Sequence, residues 1–137
     1  MNVVDSSAWL SYFAGDKNAG SFARPIESLE ELLVPSITIA EVFKSILRQR
    51  DEGSAIEAIA HMEQGEVVIL DNGLAVNAAC FGIEYKLPLA DSIICATAQK
   101  YGAVLWTQDA DSTVQFMKTG FFHHQWSEPA RSYNRHH

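Results

Sequence analysis

Asp5, Asp91, Asp109 and Asp111 are the side chains whose type and setting point most directly to chemistry, because each stands at the end of an apolar element. Asp5 closes the run NVV and opens the helical pattern SSAWL. Asp109 and Asp111 follow the run AVLW directly, in LWTQDADST. In an open α/β sheet, residues just past the carboxyl ends of the strands line the crevice where ligands bind. Carboxylates gathered there repel one another at neutral pH unless a hard divalent cation sits among them, and Mg²⁺ held that way keeps waters and takes phosphate oxygens. Each residue also has a plainer use. Asp and Ser accept hydrogen bonds from the free N–H groups of a helix start or turn. Taken alone, Asp5 is a cap; recurrence of the pattern after separate strands weakens that reading for the set.

Asp91 stands apart because LADSIICATAQ is apolar around nearly its whole circumference, which is the pattern of a buried helix. A carboxylate at a helix start gains only ~0.3–1 kcal/mol from the dipole near the surface. Burying it unpaired costs several kcal/mol. Asp91 therefore requires solvent, a partner or a cation. Glu41 is different. In SITIAEVFKSILRQR, residues Ile39, Ala40, Val42, Phe43, Ile46 and Leu47 read as one apolar stripe and Glu41 points away from it. Periodicity makes Glu41 a solvated glutamate, or one paired with Lys44 on the same face. Lys44 and Arg48 lie on the Glu41 side at i+3 and i+7. If Glu41 lines a cleft, they form a short basic stripe suited to phosphate groups.

The elements that position these groups alternate. Strand-like runs occur at 2–4, 32–34, 67–70 and 103–106, with a fifth short strand expected near Phe121 and Phe122. Helical stretches lie at about 6–13, 24–32, 37–50, 54–64, 73–85 and 89–101. The rhythm predicts an α/β chain with a central parallel sheet of four to five strands flanked by helices. One domain over 1–126 is expected, with a polar tail over 127–137 whose last two histidines are open to being an appended remnant. The 137 residues, 47% of them hydrophobic, suffice for one core. No run approaches the roughly 18 apolar residues of a membrane span, and no secretory layout opens the chain, so a cytoplasmic protein is expected. Cys80 and Cys95 lack metal or disulfide spacing and read as two buried free thiols. A net charge of −7 argues against a general nucleic-acid binder, so any such contact must be local, and the excess of carboxylates favours divalent cations or a basic partner.

Four stretches taken in order, DSSAWL, a glutamate in SITIAEV about thirty-five residues later, LADSIICATA, and LWTQDAD, resemble the PIN-domain family, particularly its VapC-type toxins. The resemblance spans residues 2 to about 122. It implies that Asp5, Glu41, Asp91 and Asp109 form an acidic quartet around Mg²⁺ or Mn²⁺. Asp111 would be an auxiliary acid acting through water, and Ser7 and Thr107 hydroxyls that orient the carboxylates. Asp5 and Asp109 are the expected principal ligands, Asp91 shares the ion directly or through water, and Glu41 holds or deprotonates the attacking water. The implied activity is metal-dependent hydrolysis of RNA by the toxin of a toxin–antitoxin pair, with a homodimer and a VapB-type antitoxin as partners.

Two other classes share short motifs with this sequence. DADST spells the D-x-D-x-T motif of haloacid dehalogenase-like phosphatases, but those enzymes place it after their first strand, and only 26 residues follow Asp111 here. VVILDNG would put a receiver-module phosphoacceptor at Asp71. However, an acidic pair after the first strand is missing, so Asp71 reads as a turn residue before Gly73. The pairs His123/His124 and His136/His137 lack a recognisable ligand set.

Overall fold

The computed structural model describes residues 1–108 and, for the backbone alone, 114–118. Five strands form one sheet in the order β3-β2-β1-β4-β5. They are β1 (Asn2–Val4), β2 (Leu32–Pro35), β3 (Glu66–Val68), β4 (Val104–Gln108) and β5 (Val114–Lys118). The first four are parallel to their neighbours, whereas β5 runs antiparallel to β4, with Gln108 opposite Val114. The reversal follows from the link: residues 109–113 are too few for the crossover that a parallel pair requires. The fifth strand thus lies earlier than expected, and Phe121 and Phe122 fall outside the described residues.

Alternation along the strands sends successive side chains to opposite faces and makes two cores. Val3 and Leu33 pack with Leu74, Phe81, Ile94 and Leu105 on one face. Val4, Leu32 and Val34 pack with Trp9, Phe22, Ile26 and Met62 on the other. Helices α1 (Ser6–Ala14), α2 (Ala19–Glu27), α3 (Ser36–Gln49) and α4 (Glu52–Met62) contribute to the second core, and α5 (Asn72–Tyr85) and α6 (Leu89–Lys100) to the first. Burial on both faces is why the inner strands read as continuous apolar runs.

Several sequence expectations shift. The helix expected at 24–32 is α2, at 19–27, followed by a 3-10 turn over Leu29–Glu31. Pro25 lies inside its last turns rather than at its start, and the helix stops where the Ser28 hydroxyl donates back to the Arg24 carbonyl at 2.8 Å. Strand β3 ends at Val68, not at residue 70, because its partner β2 ends at the facing Pro35. Ile69 is left 69% exposed. Asp71 caps α5, accepting from the Leu74 N–H at 2.8 Å, so it does serve the turn before that helix. It follows the edge strand β3, which β2 separates from β1, and so sits apart from Asp5.

Cys95 is buried but Cys80 is exposed, which corrects the expectation of two buried thiols. The buried side of α5 runs through Leu74, Ala78, Phe81 and Tyr85, and position 80 falls off it. Gly82 on α5 has a definite packing role: a Cβ there would lie 2.4 Å from Ser92 Oγ, so glycine lets α5 and α6 close together one residue from Asp91.

Candidate metal and nuclease site

Strand β1 lies between β2 and β4, where the strand order turns back, and the crevice above such a switch point is the expected ligand site of an open α/β sheet. The pairing of Val4 with Trp106 continues one step further, as the Asp5 N–H donates to the Trp106 carbonyl at 3.0 Å. Asp5 and Thr107 consequently emerge side by side at the carboxyl ends of their strands.

Asp5 does two jobs there. Its Oδ1 accepts from the Ala8 N–H at 3.0 Å, capping α1, and from the Ser7 hydroxyl at 2.8 Å. Its Oδ2 accepts from the Thr107 hydroxyl. Burial pushes the carboxyl up to about 6, against the downward pull of Thr107, the Ala8 amide and Ser7, while the charge of Asp91 pushes it further up. Asp91 stands in the first turn of α6, close enough for its charge to act on Asp5. Burial, helped by the charges of Asp91 and Asp5, also holds the Cys95 thiol well above its ordinary value, so it stays protonated.

Glu41 joins through a residue that sequence reasoning did not single out. The Ser6 hydroxyl donates to Glu41 Oε1 at 2.5 Å, tying α3 to the first residue of α1, beside Asp5. Glu41 is half-buried, which corrects the solvated reading from periodicity. The predicted stripe holds at Val42 and Ile46, with Ile39 and Phe43 partly buried beside them, but the buried line of α3 is displaced at its edges: Thr38 gives its hydroxyl to the Pro35 carbonyl at 2.5 Å and sinks, while Ala40 is exposed and Leu47 is 44% exposed. Glu41 borders the buried line instead of opposing it. Lys44 and Arg48 are exposed and line a groove of about 440 Å³ with Glu41, Ser45 and Gln49. Among the described residues neither cation makes an ion pair, so the Lys44–Glu41 pairing does not form.

Asp109, Asp111 and the four histidines at 123, 124, 136 and 137 lie outside the described residues. Thr107 and Gln108, which lead into Asp109, are tied to the site: Ser7 donates to the Gln108 carbonyl at 3.2 Å, and Asn18 donates its amide to Gln108 Oε1 at 3.0 Å. Asn18 and Ser6 are therefore further positioning residues. Their only sequence signal was adjacency to a turn and to Asp5.

A divalent cation fits this donor set. Asp5 presents hard oxygens that hydroxyl and amide donors hold in place; burial and the charge of Asp91 oppose its charge, and among the described residues no cationic side chain pairs with it. Among the described residues no three carboxylate, imidazole or thiol groups converge as a complete metal cage. The described part of the site is a pair, Asp5 and Asp91, with Glu41 held one residue from Asp5.

The PIN domain family model matches residues 3–117. The chain belongs to the PIN domain family. Solved structures share the fold of this PIN domain. It resembles a Klebsiella pneumoniae toxin–antitoxin complex at 23% identity and a TM-score of 0.66, covering 82% of this chain and 89% of that one. Against VapC20 of Mycobacterium tuberculosis, a sarcin-ricin loop cleaving toxin, the values are 20% and 0.69, over 81% and 92% of the two chains. DNA-bound VapBC from Salmonella typhimurium matches at 14% and 0.63, over 78% and 85%. At such identities the likeness is one of fold. No curated protein sequence matches significantly. Among the described residues of this PIN domain, no helix is long and apolar enough to cross a membrane.

Proposed function

We propose that this PIN domain is a Mg²⁺- or Mn²⁺-dependent endoribonuclease and the toxin of a type II toxin–antitoxin pair. The observation that carries the reading is Asp5: a half-buried carboxylate at the switch point, fixed by Ser7 and Thr107, pushed up by burial and by the charge of Asp91, and without a cationic side chain paired to it among the described residues. The toxin–antitoxin character of the fold neighbours supports the biological half.

Asp5, Asp91 and Asp109 would hold the ion, with Asp111 acting through water. When bound, the ion supplies Lewis-acid chemistry, acidifying water and neutralising charge on the phosphodiester. The chain's own residues do the rest. Ser7 and Thr107 keep both oxygens of Asp5 in one orientation. Ser6 holds Glu41 where it can take the proton of the attacking water as general base. Lys44 and Arg48 hold flanking phosphates as point and forked cations, locally offsetting an acidic surface.

The partners that fit are an RNA substrate, a second copy in a homodimer, and a VapB-type antitoxin whose basic or aromatic segment enters the acidic cleft. The test is RNA cleavage by purified protein. Cleavage should need Mg²⁺ or Mn²⁺, stop in EDTA and vanish in Asp5→Asn and Asp109→Asn variants that stay folded. Undiminished cleavage in EDTA by an identically purified sample sinks the reading.

A further inference from the structure

We infer that the cleft between α1, α3 and α4 is a nucleobase subsite, taking one unstacked base of the RNA strand beside the carboxylates. The inference rests on the ribonuclease reading and adds what the substrate must present. The cleft has a volume of about 700 Å³, within the range of small-ligand sites. It reaches the metal site through Ser7, which lines it and donates to Asp5 Oδ1 at 2.8 Å.

One wall is aromatic. Phe13 stacks on Trp9 with centroids 5.6 Å apart and planes 21° apart, and His61 stands edge-on to both. Phe13 and His61 line the cleft, while Trp9 lies fully buried behind them in the second core, its indole N–H without a hydrogen-bond partner among the described residues. A flat heteroaromatic ring resting on Phe13 would extend the stack by one member.

The rest of the lining is polar: Ser45, Gln49 and Arg50 at the end of α3, and Ser54 and Glu57 on the same face of α4 as His61. A single-stranded base needs this combination of a ring to stack on and donors and acceptors along its edge. Glu57 accepts from an exocyclic amine and disfavours a phosphate in the cleft. Phosphates have their own place next door: Ser45 and Gln49 also border the groove of Lys44 and Arg48. A strand laid along α3 can therefore rest its backbone on the two cations and turn one base inward.

The test reads binding without cleavage. The metal-free full chain is titrated with the four ribonucleoside 5′-monophosphates and, separately, with ribose 5-phosphate, following the His61 ring by NMR after assignment with His61→Gln. At least one nucleotide should shift His61 saturably, ribose 5-phosphate should not, and Phe13→Leu should weaken that nucleotide about 5- to 100-fold. Gln49→Ala, at an exposed position, should also weaken it and serves if Phe13→Leu disturbs the fold.

Silence of His61 toward all four nucleotides, or an equal response to ribose 5-phosphate, overturns the subsite. A cleft that responds to an antitoxin segment but to no nucleotide overturns it as well. An RNA cleavage assay run in parallel separates the two ideas. Cleavage with no nucleotide response sinks the subsite alone, whereas nucleotide binding by a protein that cleaves no RNA sinks the ribonuclease reading and keeps the subsite.

Discussion

Replacing Asp5 by asparagine should stabilise the metal-free protein at neutral pH while removing its activity. Burial raises the Asp5 carboxyl from its ordinary value of 3.8 to about 6 in the folded chain. The folded state thus keeps this proton to higher pH than the unfolded state does. Between about pH 4 and pH 6 the unfolded chain binds fewer protons, so stability falls as pH rises through that window and stays lower above it. At 1.36 kcal/mol per pH unit the gap is worth up to about 3 kcal/mol, a ceiling because Asp5 is only half-buried. Asparagine removes the charge but keeps the cap, since Asn serves as well as Asp there, and the Thr107 hydroxyl can turn to accept from the new amide. In EDTA at pH 7.5, Asp5→Asn should raise Tm by up to roughly 10 °C for a chain of this size. At pH 3.5 the two proteins should melt together. Adding Mn²⁺ should stabilise the parent and leave the variant unmoved. A variant less stable than the parent in EDTA at pH 7.5, or a difference that does not vary with pH, would refute the claim that Asp5 is a strained, uncompensated charge.

Ser6→Ala should lower kcat about ten-fold, the scale of one lost charge-assisted hydrogen bond on Glu41, with Mn²⁺ affinity nearly unchanged; equal losses in both would mean that Ser6 supports the metal instead. Lys44→Gln with Arg48→Gln, made in an Asp109→Asn background, should weaken RNA binding and flatten the single-strand salt slope by roughly 1.4, about 0.7 for each phosphate contact. Titrating RNA across salt checks this, and a slope equal to the parent's would reduce both cations to solvated surface. Gly82→Ala should cost about 1–3 kcal/mol in urea melts, because its Cβ would meet Ser92 Oγ at 2.4 Å. It should also weaken Mn²⁺ binding by displacing the start of α6, and unchanged binding would separate Asp91 from that packing.

The parallel sheet was legible because strands buried on both faces write continuous apolar runs, and the cap at Asp5 and the turn role of Asp71 because their chemistry is local. Adjacency was not. Asp5 and Thr107 meet through a pairing of residues about a hundred positions apart, which no periodicity reports; Thr107 came into view only through the family resemblance. Periodicity alone turns Glu41 outward because the buried line of α3 is shifted from the centre of the apolar stripe: Thr38 sinks by bonding Pro35, Leu47 stays out, and the face bordering Glu41 turns inward; the resemblance, not the pattern, pointed to Glu41. Ser6 was overlooked since its partner lies thirty-five positions away. Strand β5 follows β4 after a short link whose length sets the antiparallel pairing, which side-chain pattern does not report.

The central claim is that carboxylates from separate segments hold one ionic site, and Mn²⁺ titration followed by electron paramagnetic resonance at pH 7.5 tests it most directly. The account predicts saturable binding by the parent chain and a large loss of affinity in each of Asp5→Asn, Asp91→Asn and Asp109→Asn, with all three variants folded. Mn²⁺ affinity unchanged in Asp5→Asn would contradict it.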